Sequence, residues 1–243
     1  MPDEEHSCVI EPRRGRHEES LPRLAILVFS PEDLTSFSAC FSQPLRRSHK
    51  LYLSEVFTGA YEGAQVALAG PMLGAPQTVL VLERMIALGA TKFIAMGWCG
   101  SLRNDVRIGD IVLPSGAISE EGTSGHYPGV VCAPSSELFN SLRSALSSTG
   151  QAIHEGTVWT TDAPFRETCS KVKAFQSQGV LAVDMETSAL FSVSRFRGVH
   201  FAAVLVVSDD LSELKWVHGF RDPAFHESRK RVIESILLTT CRV

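Results

Sequence analysis

Val183-Asp184-Met185-Glu186-Thr187-Ser188-Ala189-Leu190-Phe191 closes an apolar, strand-like run with two acids and opens a helix of small residues. A strand that hands over to a helix in this way is the repeating unit of α/β proteins, whose ligands sit in the crevice beyond the carboxyl ends of the strands. Asp184 and Glu186 stand at such an end. Both also fall in the first turn of the predicted helix, where the backbone dipole favours negative charge, so the same residues also read as helix caps. The rest of the chain has to decide between the two readings.

Outward from this unit the same punctuation recurs. Leu24 to Phe29 is a continuous apolar run of strand length, and Ser30-Pro31-Glu32-Asp33 then reads as the cap and first turn of a helix. Gln65 to Ala69 predicts a second strand, after which Gly70 to Pro76 turns the chain into a helix over Gln77 to Leu88 that Gly89 stops. Lys92 to Met96 predicts a third strand, delivered into Gly97-Trp98-Cys99-Gly100-Ser101, where glycines would let backbone amides approach a ligand. Further strands are expected from Gly109 to Pro114, Ala152 to Thr160, Val180 to Met185 and Phe201 to Ser208. Helices are expected from Ser136 to Leu146 and Ala224 to Leu238. This alternation predicts one α/β domain over residues 23–243, with a central mostly parallel or mixed sheet flanked by helices. Residues 1–22, polar and rich in Pro, Arg and Glu, read as an N-terminal arm with little structure of its own.

Composition narrows the function classes. A chain of 243 residues is long enough for one large core. Its net charge of −4 offers no basic face for nucleic acid, and no apolar run approaches the roughly 20 residues of a membrane span. The six cysteines are scattered, without a C-x-x-C pair or a histidine at zinc spacing, so reduced thiols in a soluble, cytoplasmic protein are expected and no metal site is.

Taken together, Phe57-Thr58-Gly59-Ala60-Tyr61-Glu62-Gly63, the Gly70 to Pro76 turn, Phe93 to Ser101, Gly109-Asp110-Ile111-Val112, Asp184-Met185-Glu186 and Val207-Ser208-Asp209 resemble the nucleoside phosphorylase family. That family includes purine nucleoside phosphorylases, uridine phosphorylases and the related nucleosidases, and the resemblance runs from Leu24 to about Leu238. It implies cleavage of the N-glycosidic bond of a small-molecule nucleoside, without metal or organic cofactor and with phosphate as the co-substrate of the phosphorylases. It also implies a homo-oligomer, a dimer or a ring of dimers. Such cleavage passes through an oxocarbenium-like sugar, which the protein must grip and stabilise. By resemblance, Glu186 accepts hydrogen bonds from the ribose hydroxyls, Met185 packs on the sugar, and Asp184 lies near the base. A carboxylate suits vicinal hydroxyls because it only accepts. Asp209 matches the acid that assists a departing purine, beside Ser208, although Ser208-Asp209-Asp210 also reads as a helix cap. Met72 would line the sugar pocket or pack the core. Phe165 would stack on the base, Arg166 would hydrogen-bond it, and His6 or His17 would reach a neighbour's sugar. The loop from Glu121 to Tyr127 looks closer to the uridine phosphorylases, so the base stays open.

The departures concern phosphate. Relatives place a Gly-Asp-Pro-x-Arg turn after the first strand; here the glycine is Phe29 and the arginine is Asp33. Ala95 stands for a second arginine, Trp98 for a hydroxyl in the Gly97 segment, and Tyr52 for the arginine lent by a neighbouring subunit. Losing the guanidinium groups removes the bidentate grip on a dianion, and Asp33 would repel it. Water is therefore the favoured acceptor, with Glu32 or Asp33 as its activating base, though both also read as first-turn helix acids. Phosphate could be restored by Arg13, Arg14 and Arg16 of the arm, or by Arg46, Arg47 and Lys50, if these cover the site; otherwise they form a solvated surface. A binding protein without catalysis is the remaining alternative. Cys99 reads as a packed small residue, since no partner base is visible.

Overall fold

The computed structural model describes residues 8–242; His6 lies outside them. Ten strands form one sheet. Its spine is four strands: β1 (Leu24–Val28), β4 (Ala64–Gly70), β5 (Lys92–Ser101) and β9 (His200–Asp210). β1 runs parallel to β4 and β5, and β5 parallel to β9. The hairpin of β2 (Arg46–Leu51) and β3 (Ser54–Tyr61) continues the edge beyond β4.

Runs such as Leu24–Val28 look uniformly apolar because both faces of the sheet are covered, yet the strand period of two still sorts them. Ala25 and Leu27 pack with Phe93, Ala95, Phe201 and Ala203 toward α2 (Gly74–Ala87) and α5 (Thr187–Phe196). Leu24, Ile26 and Val28 pack with Ile94, Met96, Ala202 and Val204 on the opposite face. There they meet α1 (Pro31–Ala39), α3 (Ser136–Leu146) and α6 (Pro223–Thr240). Mixed strand directions and helices on both faces agree with the architecture expected from the alternation.

Two features differ from that expectation. The segment Gly97–Ser101 is no loop: β5 continues through it, with a register shift between Cys99 and Gly100. The sheet also closes on itself. β9 pairs with β5 and, antiparallel, with β6 (Ile111–Glu120), which pairs in turn with β7 (Ile153–Thr161), β8 (Ala182–Asp184) and back to β5. Cys99, Val112, Val158, Ala182, Leu205 and Val207, drawn from all five strands of this ring, form one buried cluster that fills it. A closed ring leaves no unpaired edge among these strands and fixes their ends relative to one another. Beside it, Trp159 stacks at 4.4 Å on Phe175 of α4 (Cys169–Ser177), and the short β10 (Val217–His218) pairs with β9.

Residues 8–22 carry no helix or strand and are tied down by charge. Glu11 meets Arg197 at 3.0 Å, Glu18 meets Arg84 at 2.7 Å, and Leu21 donates its N–H to the Leu88 carbonyl.

Candidate functional site

A cavity of about 830 Å³ opens where β1, β5, β8 and β9 end. Met72, Trp98, Phe165, Asp184, Met185, Glu186, Ser208, Asp209 and Glu32 all line it, as do Phe29, Glu167, Trp216 and Phe220. The fold thus gathers residues up to 191 positions apart, from Phe29 to Phe220. Among the described residues five carboxyls face this space, from Glu32, Glu167, Asp184, Glu186 and Asp209, and no lysine, arginine or histidine does.

The two acids that open the decisive βα unit divide the roles between them. Asp184 accepts hydrogen bonds from Thr160 Oγ1 (2.6 Å), Thr187 N (2.8 Å) and Glu186 N (3.3 Å), so its carboxylate does cap α5. Glu186 makes no such cap. Its Oε1 accepts from Gly74 N at 2.7 Å, at the start of α2, and the side chain is buried. Burial pushes both pKa values up, and the neighbouring Asp184 charge pushes Glu186 further. A positive charge arriving in the cavity would be stabilised by this pair.

Asp209 ends β9. It accepts from Ser208 Oγ (2.6 Å) and from Trp216 Nε1 (2.9 Å), which draws the Trp216 indole against the cavity rim. Close by is Glu167, whose pKa is pushed up to about 7, first by burial and then by the Asp209 charge. Sequence reasoning passed over Glu167 in favour of its neighbours. Its signal was only its place directly after Phe165 and Arg166. Of those neighbours, Phe165 stands at the mouth almost fully exposed, while Arg166 is exposed and does not line the cavity.

Of the two acids offered as the water-activating base, the structure takes Asp33 out of that role. It is fully buried and lies outside the cavity lining. Its Oδ1 accepts from Arg229 Nε (2.9 Å) and Nη2 (2.7 Å), and its Oδ2 from Trp98 Nε1 (2.8 Å) and Ser30 Oγ (2.8 Å). Four donors occupy its lone pairs, so no acceptor capacity is left for a water. The Arg229 guanidinium also lies 4.9 Å from the Trp98 ring. Glu32, one residue earlier, faces the cavity, and its hydrogen bond runs through its backbone carbonyl to Ser36 rather than through its carboxylate.

Gly97 also sits differently from the expectation. A Cβ there would lie 2.8 Å from the Phe29 ring, so this glycine makes room for an aromatic side chain packed against the strand. Ala95 is sealed in the core and Tyr52 is half exposed away from the cavity. Arg13, Arg14, Arg16, His17, Arg46, Arg47 and Lys50 do not line the cavity either. Arg46 pairs with Glu19 and Arg47 with Glu55.

The loop at Glu121–Tyr127 is likewise structural in this chain. Burial alone would raise the Glu121 pKa, but hydrogen bonds from Ser124, Ser119, Thr123 and Ser188 hold it below the usual carboxylate value, stitching the loop to α5. Burial lifts the Cys99 thiol well above its usual range, in keeping with a packed residue. Among the described residues no group of three or more His, Cys, Asp or Glu side chains is arranged to hold a metal ion, and no helix is long and apolar enough to cross a membrane.

Guanosine phosphorylase of Halorubrum lacusprofundi is 28% identical over 159 residues, covering 65% of this chain and 66% of that protein. DeoD-type purine nucleoside phosphorylase of Bacillus cytotoxicus is 33% identical over 159 residues, covering 64% and 68%. The matched stretch thus spans about two thirds of these relatives' length. In three dimensions the chain resembles uridine phosphorylase of Vibrio fischeri, with a TM-score of 0.85 at 21% identity over 95% of this chain and 100% of that one. It also resembles purine nucleoside phosphorylase of Toxoplasma gondii, with a TM-score of 0.82 at 19% identity over 92% of each chain. The profile of the Phosphorylase superfamily matches residues 23–239, and the chain belongs to that superfamily, among the nucleoside phosphorylases and their glycosidic-bond-cleaving kin.

Proposed function

We propose that this protein cleaves the N-glycosidic bond of a purine-like nucleoside and passes the sugar to water. The observation that carries this reading is the acidic lining of the cavity: five carboxyls and, among the described residues, no basic side chain. An oxocarbenium-like sugar gains from such surroundings, whereas a phosphate dianion loses. At about 6 Å and an effective dielectric of about 20, each unit-charge pair is worth roughly 3 kcal/mol in either direction. One carboxylate beside a dianion therefore costs more than a well-placed hydrogen bond returns.

In this reading Glu186 and Met185 hold the ribose, with Glu186 accepting from its hydroxyls. Asp209 and Glu167 face the base, and a carboxyl that titrates near neutrality is suited to exchange a proton with a leaving group. Glu32 takes the proton of the attacking water, a role for which its unengaged carboxylate at the cavity wall qualifies it and the saturated Asp33 does not. Phe29, Met72, Trp98 and Phe165 supply apolar walls.

The test incubates the protein with purine and pyrimidine nucleosides, with and without phosphate, and separates base, free sugar and sugar 1-phosphate. Free sugar formed at a phosphate-independent rate is expected, with Glu32→Gln slowing it by about 10²-fold or more. Sugar 1-phosphate would overturn the choice of acceptor and restore the reaction named for the relatives. Binding without turnover across the panel would overturn cleavage itself.

A further inference from the structure

We propose that the preferred ligand is a nucleoside whose base carries a fixed positive charge, such as an N-alkylated purine. This rests on the glycosidic reading above and names the substrate class of that same cavity.

The base-facing part of the cavity holds two carboxyls with different surroundings. Asp209 is held by Ser208 Oγ and Trp216 Nε1. Glu167 has no hydrogen bond acting on its carboxyl, and Lys171, which moderates it only at a distance, is paired with Glu120 at 2.8 Å. Two neighbouring acids facing a partly closed space, one of them unpaired, are short of one positive charge. Among the described residues no basic side chain lines the cavity to supply it, and His218, whose ring packs on Trp216 and Phe220, lies outside the lining.

Around these acids stand flat aromatic surfaces that the fold leaves uncovered. Phe165 is 99% exposed, Trp216 63% and Phe220 40%. Trp98 and Trp216 lie 6.1 and 6.4 Å from Phe220, so three of the rings form a continuous wall next to Asp209. Any base would stack on such a wall. Only a cationic base would also be attracted by the negative ring faces and compensate the two carboxyls at once. The elevated pKa of Glu167 is consistent with a cation missing from its place.

The chemistry agrees. When the bond between the sugar's anomeric carbon and the base nitrogen breaks, its electron pair passes to a base that is already positive, and the base leaves neutral without needing a proton. Water adds its oxygen to the anomeric carbon and gives up its proton to Glu32. Cationic nucleoside and water become neutral base, free sugar and one proton, so atoms and charge balance.

The experiment compares the carbocyclic analogue of 7-methyladenosine, which lacks the furanose oxygen and is not cleaved, with the carbocyclic analogue of its neutral isostere 7-deaza-7-methyladenosine, which differs in charge and hardly in shape. Binding is measured by titration calorimetry on the native protein and on Glu167→Gln, with an unchanged unfolding midpoint as the check that the variant is folded. Affinity for the cation at least tenfold above that for the isostere is expected, with the preference shrinking in Glu167→Gln. Equal affinities in the native protein would overturn the proposal, as would a preference that Glu167→Gln leaves intact. Either result is independent of turnover, so failure of the cleavage reading shows separately in the nucleoside panel.

Discussion

Asp33 and Glu167 are both acids beside one cavity, and the fold treats them in opposite ways. Asp33 sits at the α1–α6 corner with four donors on its two oxygens and no exposure to solvent. Glu167 faces open space without a donor and titrates near neutrality. The first is a finished piece of structure that holds the Trp98 wall in place. The second is an unfinished interaction that a ligand would complete. A buried charge matters for stability when all its partners come from the chain, and for binding when one partner is missing.

The largest expected effect breaks the finished corner. Asp33→Ala leaves the Arg229 guanidinium, only 8% exposed, without its counter-ion. Removing one member of a buried pair costs about 3–5 kcal/mol, while replacing both by apolar side chains is close to neutral. Denaturant unfolding should therefore show a large loss for Asp33→Ala and recovery of most of it in Asp33→Ala/Arg229→Met. A loss below about 1 kcal/mol in the single variant would mean that the corner does not carry the wall.

Sequence reading left this corner undecided for a physical reason. Ser30-Pro31-Glu32-Asp33 was legible as a cap and first turn, and Ser30 does accept from Asp33 N at 3.0 Å. The partner that decides the fate of Asp33, however, lies 196 residues away on α6, where local spacing carries no trace of it. Elements with their own period or stop signals were readable almost to the residue, α3 at Ser136–Leu146 among them. Closure of the ring was not, because β8 has three residues and β9 binds strands on both sides, and neither fact shows in a hydrophobic pattern. Within the cavity, acids at strand ends stood out and Glu167 did not, since its surroundings rather than its neighbours in the chain set its titration.

A smaller effect sharpens the contrast within a single turn of chain. Asp184 spends its oxygens on Thr160 and the α5 amides, whereas Glu186 gives only one oxygen to Gly74 N and presents the rest to the cavity. Burial and then the Asp184 charge push the Glu186 pKa up to about 8, so Glu186→Gln keeps an acceptor for Gly74 and removes a charge that the native carboxyl carries mainly above that value. It should fold normally and lose roughly 10- to 100-fold in kcat/KM for glycosidic cleavage at about pH 9, the worth of a charge-assisted hydrogen bond of about 1.5–3 kcal/mol, and less at neutral pH. Asp184→Asn should instead show mainly in the unfolding midpoint. Equal effects of the two substitutions on both readouts would remove the division of roles between capping and gripping.

The smallest effect is expected farthest from the cavity, where the arm is held by partly exposed ion pairs. Glu18 meets Arg84 at 2.7 Å with a third of its side chain exposed, so Glu18→Ala should cost about 0.5–1 kcal/mol and leave turnover unchanged. Its pKa is held below the usual carboxylate value by the Gly15 backbone N–H and then by Arg84. The sign follows from this depression: the folded state binds the proton less readily than the unfolded chain. The contribution of Glu18 is therefore complete above the ordinary carboxylate pKa and is lost as pH falls through the lowered folded value. Unfolding midpoints of Glu18→Ala and the native protein should differ at neutral pH and converge in acid. A difference that persists in acid would assign the arm's attachment to packing at Leu21 rather than to charge. Altered turnover in Glu18→Ala would mean that this second, outward-facing set of acids is coupled to the first.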